Sequence, residues 1–169
     1  MKVLTRKSHI IPMIIGFIIL FIIIYFFVIV KQKIITCNKT KLEENVKIEE
    51  NVELYLDKKL KKVIVNKKIL LPTRLSDKKT KEKIVKRLNQ TFSYIGDDNY
   101  KIYEEKKIIN LDINVMNNNL VILDNLSYKN DLLVNSNTKS SKVITLETGL
   151  KYDEYKLISK LKSKGYSCK

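Results

Sequence analysis

The sequence predicts an α+β domain, an antiparallel sheet of hairpins packed by two helices, preceded by a single N-terminal transmembrane helix. An uncharged apolar run of 21 residues covers positions 10–30. After it, apolar and polar residues alternate in several stretches, which is typical of half-buried strands. Two other stretches space their apolar residues by three and four, as amphipathic helices do. Strands arranged in hairpins with few helices indicate an α+β fold, and 169 residues allow one domain of ordinary size.

The N-terminal apolar run is long enough to span a membrane. Residues 10–30 read IIPMIIGFIILFIIIYFFVIV, and as a helix they extend about 31 Å, close to the ~30 Å hydrocarbon core of a bilayer. A core helix of so small a protein would carry a polar stripe, and this run has none. It is also longer than the core of a signal peptide and lacks small residues at its exit. We therefore expect an uncleaved anchor behind a short basic tail at 1–9.

Charge counting alone leaves the orientation of this anchor open. The tail carries Lys2, Arg6 and Lys7, and several lysines also follow the run within about 20 residues. Long domains cross membranes largely regardless of their charge, so the short tail should count more. This favours a cytoplasmic N-terminus and an extracytoplasmic domain over 31–169. The inverted topology, with a cytoplasmic domain, stays the alternative.

A β-hairpin is predicted early in the domain. The even positions 46, 48, 52, 54 and 56 are apolar, and the odd positions 47, 49, 51 and 53 are polar. This period of two places one face inside and one outside. A turn is expected at 57–59, and the partner strand covers 63–71, with Lys67 as an imperfection in its apolar face. Pro72 ends that strand because proline lacks the N–H that the ladder needs.

An amphipathic helix follows the hairpin. Ser76 is a natural N-cap, and Asp77 lies in the first turn, where a negative charge is favourable. Gly96 is placed to end the helix. The expected apolar stripe has steps of four, four and three residues and consists of Ile84, Leu88, Phe92 and Ile95.

A second hairpin comes after this helix. Asp97-Asp98-Asn99 is interpreted as a loop, although its oxygens could also contribute to a Ca²⁺ site, which needs six to eight ligands. Tyr100 and Ile102 begin the first strand, and a turn is expected at 104–106. Apolar residues then alternate cleanly over 109–115, which predicts the partner strand.

The C-terminal part contains shorter elements and a final helix. Short strands are predicted at 120–123 and 143–146, separated by a polar loop or irregular edge over 129–142. The final helix covers 151–164 and stops at Gly165. Its apolar face is expected to consist of Tyr155, Ile158 and Leu161.

The two cysteines lie at the two ends of the predicted domain. Cys37 follows the membrane segment by about seven residues, and Cys168 is the penultimate residue. If the domain is outside the cell, they are each other's sole partners, and we expect a disulfide between them. The alternative is two unrelated buried thiols. Two thiolates without a nearby histidine supply half a zinc shell, so no metal site is predicted.

The order of these elements resembles the YehR-like family of small bacterial lipoproteins, whose function is not established. The resemblance covers about residues 34–169. Thr36-Cys37 and the ending Gly165–Cys168 are similar to short cell-surface relatives with a Thr-Cys start and a Gly-x-x-Cys end. The chain departs from the family at its anchor, a spanning helix instead of a lipid-modified cysteine. The resemblance implies a domain at a membrane surface and no catalytic residues. The stretches that carry it read VELYLDKKLKKVIV, KIYEEKKIINLDINV and ITLETGLKYDEYKLISKLKSKGYSCK.

The composition excludes most catalytic chemistry. His9 is the only histidine and lies at the membrane edge, so triads and metal sites that need histidine are excluded in a monomer. A serine–lysine pair is formally possible, but no spacing singles one out. Acidic doublets on a strand point to opposite faces and do not converge. Four scattered glycines cannot form a phosphate loop. We therefore expect no enzyme and no cofactor.

The excess of lysine indicates polyanionic partners. The chain carries a net charge of +15, of which +12 falls on residues 31–169. Such a domain attracts anionic lipid headgroups or anionic wall polymers. Nucleic acid is not the expected partner, because arginine is nearly absent. A lysine-rich surface set by an AT-rich genome is the plain alternative.

These observations together predict a single-pass membrane protein with a non-enzymatic binding or structural role at the bacterial cell surface. In the alternative, the inverted topology leaves a cytoplasmic lysine-rich domain that binds nucleic acid or inner-leaflet lipid.

Overall fold

The computed structural model describes residues 14–20, 33–129, 132–135 and 143–169. Residues 14–20 form a helix, α1, within the predicted membrane segment, and the rest of that segment and the basic tail lie outside the described residues. No helix among the described residues is both long and apolar enough to cross a membrane. Residues Lys33–Lys169 form a compact unit of their own.

The compact unit is an α+β domain, as the sequence predicts. Two α-helices are described in it, α2 at Lys78–Phe92 and α3 at Glu154–Ser163. Its described strands are β1 Lys33–Glu43, β2 Val46–Asp57, β3 Lys59–Leu70, β4 Tyr100–Glu105, β5 Ile108–Met116, β6 Leu120–Leu123, β7 Leu126–Lys129, β8 Leu132–Asn135, β9 Ile144–Glu147 and β10 Ser167–Cys168.

Six of these strands build one antiparallel sheet in the order β10-β1-β2-β3-β5-β4. Two small antiparallel pairs, β6 with β9 and β7 with β8, are separate from it. The core lies on one face of the large sheet, where α2, α3 and the small pairs contribute buried apolar side chains. We call the opposite face, whose side chains are exposed or half-buried, the open face.

The β2–β3 hairpin confirms the strongest sequence pattern. The inward side of β2 is buried at every second residue from Val46 to Leu56. The turn bends at Lys58, whose φ of 50° lies in the left-handed region. A register shift next to Tyr55 and Leu56 places one extra residue, Lys61, in β3. Such a bulge changes which residues face each other along the rest of the hairpin.

The start of α2 differs from the prediction by one residue. The N-cap is Asp77, whose carboxylate accepts a hydrogen bond from the Thr80 N–H at 2.9 Å. Ser76 instead ends a 3₁₀ turn and donates its hydroxyl to the Thr73 carbonyl at 2.8 Å. The helix ends at Phe92 and continues as a 3₁₀ turn that still buries Ile95.

The predicted apolar face of the last helix was wrong at one position. Leu157 and Leu161, one turn apart, are its buried residues, whereas Tyr155 is 83% exposed. Ile158 is half-buried beside the core. Leucines bury more readily than a tyrosine whose hydroxyl needs a partner. The helix begins at Glu154, capped by Asp153, rather than at 151.

Four strands, β1, β7, β8 and β10, were not predicted from the sequence. The alternation of β1 was not recognised, because lysines occupy its inward positions beyond Cys37. The segment 129–142 was expected to be a loop or an irregular edge, yet β8 lies within it and pairs with β7. The turn of the second hairpin falls at 106–107 rather than at 104–106, since β4 continues to Glu105.

Candidate functional site

The two cysteines join the ends of the domain, as expected. Cys37 of β1 and Cys168 of β10 face each other in the antiparallel ladder and form a disulfide, with their Cα atoms 4.1 Å apart. Thr36 and Lys169 exchange backbone hydrogen bonds beside them, at 3.2 and 2.9 Å. The segment after α3 is thereby fixed to the first strand of the sheet.

A buried ion pair lies in the middle of the sheet's inward face. Glu50 of β2 and Lys67 of β3 are directly opposite in the ladder, and their charged groups are 2.9 Å apart. Lys67 also donates to the side-chain carbonyl of Asn125 at 3.1 Å. Its ammonium lies 5.8 Å from the centroid of the Phe92 ring on α2. Because Lys67 is fully buried, these partners replace the water that its charge would otherwise need.

The loop between β6 and β7 closes over this pair. Asp124 has a φ of 56°, and its N–H points to the Glu50 carboxylate at 3.2–3.3 Å. The Asp124 carboxylate pairs with Lys39, at 2.7 Å, and with Lys41, both on β1. Lys39 further donates to the Lys164 carbonyl at the end of α3, where the helix dipole favours a cation. We call Glu50, Lys67, Asp124, Asn125, Lys39 and Lys41 the buried charge cluster.

Tyr166 borders the buried charge cluster. Burial raises the pKa of its phenol, and the nearby Glu50 and Asp124 carboxylates raise this pKa further. Its buried hydroxyl lies beside the Glu50 carboxylate and the Asp124 backbone. The Lys39 ammonium lies 5.4 Å from the centroid of its ring. The neutral phenol is therefore the form that the folded state accommodates.

Tyr166 should make the protein sensitive to alkali. An unfolded tyrosine ionises near pH 10, whereas the raised pKa keeps the folded one neutral. Its stabilisation is therefore complete below about pH 10 and is lost at higher pH, by up to about 1.4 kcal/mol per pH unit. We expect Tyr166→Phe to unfold as the parent does at neutral pH and to lose less stability at about pH 11. Urea unfolding at both pH values, with Tyr155→Phe as the exposed control, measures this. Parallel pH profiles for parent and Tyr166→Phe would contradict it.

The buried charge cluster was not found from the sequence, although a signal was present. Lys67 was treated as an imperfection in an apolar strand face, and Glu50 occupies an even, inward position of β2 that the apolar pattern skips. Two opposite charges at inward positions of one hairpin are the signal of a cross-strand pair. Asp124 and Asn125 are brought to that pair by the fold alone.

The open face carries a row of polar side chains that crosses the whole sheet. Its members are directly opposite one another in neighbouring strands. The Asn66 amide donates to Asp112 at 2.9 Å. Within the described residues, the amides of Asn38 and Asn51 have no side-chain hydrogen bond. In sheet order the row, which we call the amide row, consists of Ser167, Asn38, Asn51, Asn66, Asp112 and Lys101.

The outer side of α2 is the most basic helical surface of the described residues. Lys81 is paired with Glu104 at 3.1 Å, while Lys78 lies 3.9 Å from Glu82 in an exposed pair that contributes little. This surface, which we call the basic α2 face, consists of the exposed residues Lys78, Lys79, Lys83, Lys86 and Arg87.

The remaining candidates from the sequence are the acidic loop at 97–99, a serine–lysine pair and His9. Asp97 and Asp98 lie in an exposed 3₁₀ turn, and the Asn99 amide donates to the Ile95 carbonyl at 2.7 Å. Among the described residues no group of three or more His, Cys, Asp or Glu could hold a metal ion. Lys67 bonds with Glu50 and Asn125 rather than with a serine hydroxyl. His9 lies outside the described residues.

Comparisons with protein-family models, with curated proteins and with solved structures found no match to this chain. The resemblance to YehR-like lipoproteins therefore stays a prediction.

Proposed function

We propose that this chain is a single-pass membrane protein with a cytoplasmic N-terminus and an extracytoplasmic domain that binds at the bacterial cell surface without catalysis. The disulfide between Cys37 and Cys168 is the observation that carries the proposal. Disulfides persist in oxidising compartments and are rare in the cytosol. The uncharged run at 10–30 supports the anchor, as does the exposure of every large apolar side chain of α1, each more than half exposed.

The chemistry of the titratable groups supports a non-enzymatic role. The buried carboxylates and lysines of the cluster neutralise one another and bridge separate segments of the fold. Catalytic groups instead converge on a cleft where a substrate can reach them. The cluster fixes the loop over the sheet, which is a structural task.

Anionic lipid headgroups or wall polymers are the partners that fit the basic α2 face. Its five cations lie within ten consecutive residues, and they are exposed. Contacts of this type weaken with added salt, because exposed charges are screened within about 8–10 Å at physiological ionic strength.

The inverted topology is the second candidate function, and the basic α2 face is the observation that favours it. A cytoplasmic domain with this face would meet nucleic acid or the inner leaflet, both of which are polyanionic. In that compartment Cys37 and Cys168 would be reduced thiols.

Labelling with a membrane-impermeant maleimide on intact cells separates the two candidates. For the parent chain we expect labelling after reduction and not before it. An exposed reporter, Lys83→Cys in a Cys37→Ala/Cys168→Ala background, tests topology independently of the disulfide. We expect this reporter to be labelled in intact cells without reduction. Labelling of the reporter only after lysis would overturn the extracytoplasmic placement.

A further inference from the structure

The open face differs in charge from the rest of the domain. Residues 31–169 carry a net charge of +12, yet the paired open-face positions of β1 to β5 balance five lysines with five carboxylates, and Lys61 adds one charge at the bulge. If codon bias alone set the lysine content, the excess would extend to this face as well. The balanced set consists of Lys47, Lys59, Lys62, Lys68, Lys101, Glu49, Glu53, Asp57, Glu105 and Asp112.

A shallow trough follows the amide row across the strands. One depression of about 330 Å³ is lined by Asn38, Asn51 and Asn66, among others. A second, of about 450 Å³, is lined by Asn66, Asp112 and Lys101, and the turn containing Asp97 and Asp98 forms one of its walls. Because both depressions include Asn66, they adjoin each other along the row.

We infer that this trough binds an extended, uncharged glycan lying across the strands. An asparagine amide both donates and accepts hydrogen bonds, so it can pair with a sugar hydroxyl in either sense. Neighbouring strands place one such side chain every 4.7–4.9 Å, which is close to the length of one sugar unit in an extended chain. The repeat of the ligand then matches the repeat of the sheet.

The charge balance distinguishes this ligand from the alternatives. A polyanion is attracted to a surface of net positive charge, and the basic α2 face offers that whereas the trough does not. An apolar protein partner would need an apolar centre, and the trough is centred on amides. The inference rests on the proposed function, because an extracytoplasmic domain is the one that meets a surface glycan.

Binding of β-1,4-linked hexasaccharides to the full chain in detergent tests the inference. The probes are two uncharged hexamers, cellohexaose and the hexamer of N-acetylglucosamine. Carboxymethylated cellulose is the polyanionic comparison, because it has the same sugar backbone as cellohexaose. The variant Asn38→Val/Asn51→Val removes two free amides at strand positions where valine is well tolerated. Losing two hydrogen bonds should weaken binding about tenfold or more. Gln90→Leu, which removes an exposed amide on α2 that does not line the trough, is the control.

We expect the parent and Gln90→Leu to bind an uncharged hexamer equally, with little change between about 0.05 and 0.5 M salt, and the double variant to bind more weakly. Two results would overturn the inference. One is that the parent binds neither hexamer. The other is that the parent binds carboxymethylated cellulose but no uncharged hexamer, and that this binding is lost at high salt. If the double variant binds the hexamer as tightly as the parent does, the amide row is not the binding site. Maleimide labelling tests topology separately, so the proposed function and the glycan site can fail independently.

Discussion

Replacing Lys67 with methionine is expected to lower the free energy of unfolding by about 3–5 kcal/mol. The substitution keeps most of the side-chain volume and removes the charge that faces Glu50 at 2.9 Å. Glu50 is 5% exposed, so its carboxylate would remain buried without its nearest counter-charge. Since small domains are stable by about 5–15 kcal/mol, this loss is a large part of the total stability. Urea unfolding of the full chain in detergent, followed by circular dichroism, measures the loss.

A double-mutant cycle shows whether this loss comes from the unpaired charge. In Glu50→Gln/Lys67→Met both charges are absent, while the glutamine carbonyl can still accept from the Asp124 N–H. We expect the double variant to recover most of the stability, to within about 1–2 kcal/mol of the parent. Lys68→Met, on the open face beside it, should change stability by less than about 0.5 kcal/mol. A loss below about 1 kcal/mol for Lys67→Met would mean that water reaches the pair.

The sequence predicted those elements whose apolar periodicity is clear over most of their length. Strand β2 buries every second residue, and α2 buries Ile84, Leu88 and Phe92 on one stripe. In both elements, the residues that the pattern marks as apolar are residues that the core buries, so the local sequence and the overall fold agree. Strand β1 lacks an apolar pattern on its inward side beyond Cys37. Its inward Lys39 and Lys41 are paired with Asp124, a residue 85 and 83 positions away, which no local pattern reveals.

The candidate sites depend on register, which the sequence did not determine. Near the turn Leu56 faces Leu60, but beyond the bulge Asn51 faces Asn66 and Glu50 faces Lys67. Without the extra residue Lys61, Asn51 would face Val65, and the inward and outward sets would no longer match. One bulge therefore aligns both the amide row and the buried ion pair. The bulge lies close to the turn at Lys58, which adopts a left-handed backbone that lysine does not favour, so the sequence signals neither feature.

Removing the disulfide with Cys37→Ala/Cys168→Ala should lower the free energy of unfolding by about 4–5 kcal/mol in the chain-entropy account. The bridge closes a loop with a sequence separation of 131, so its loss mainly frees the unfolded chain. The strand β10 is two residues long and pairs with β1 beside this bridge, so its pairing should weaken as well. Urea unfolding of the parent with and without reductant, compared with the variant, measures the effect.

The single variants make the disulfide prediction sharper. Cys37→Ala and Cys168→Ala each break the same bridge, so each should lose nearly as much stability as the double variant, and their effects should not add. The double variant should be insensitive to reductant, while the reduced parent should match it. Additive small losses would indicate two separate thiols that merely pack. The parent extracted with its free thiols blocked then reports which form the cell produces: alkylated Cys37 and Cys168 would favour the cytoplasmic topology, and an unmodified disulfide the extracytoplasmic one.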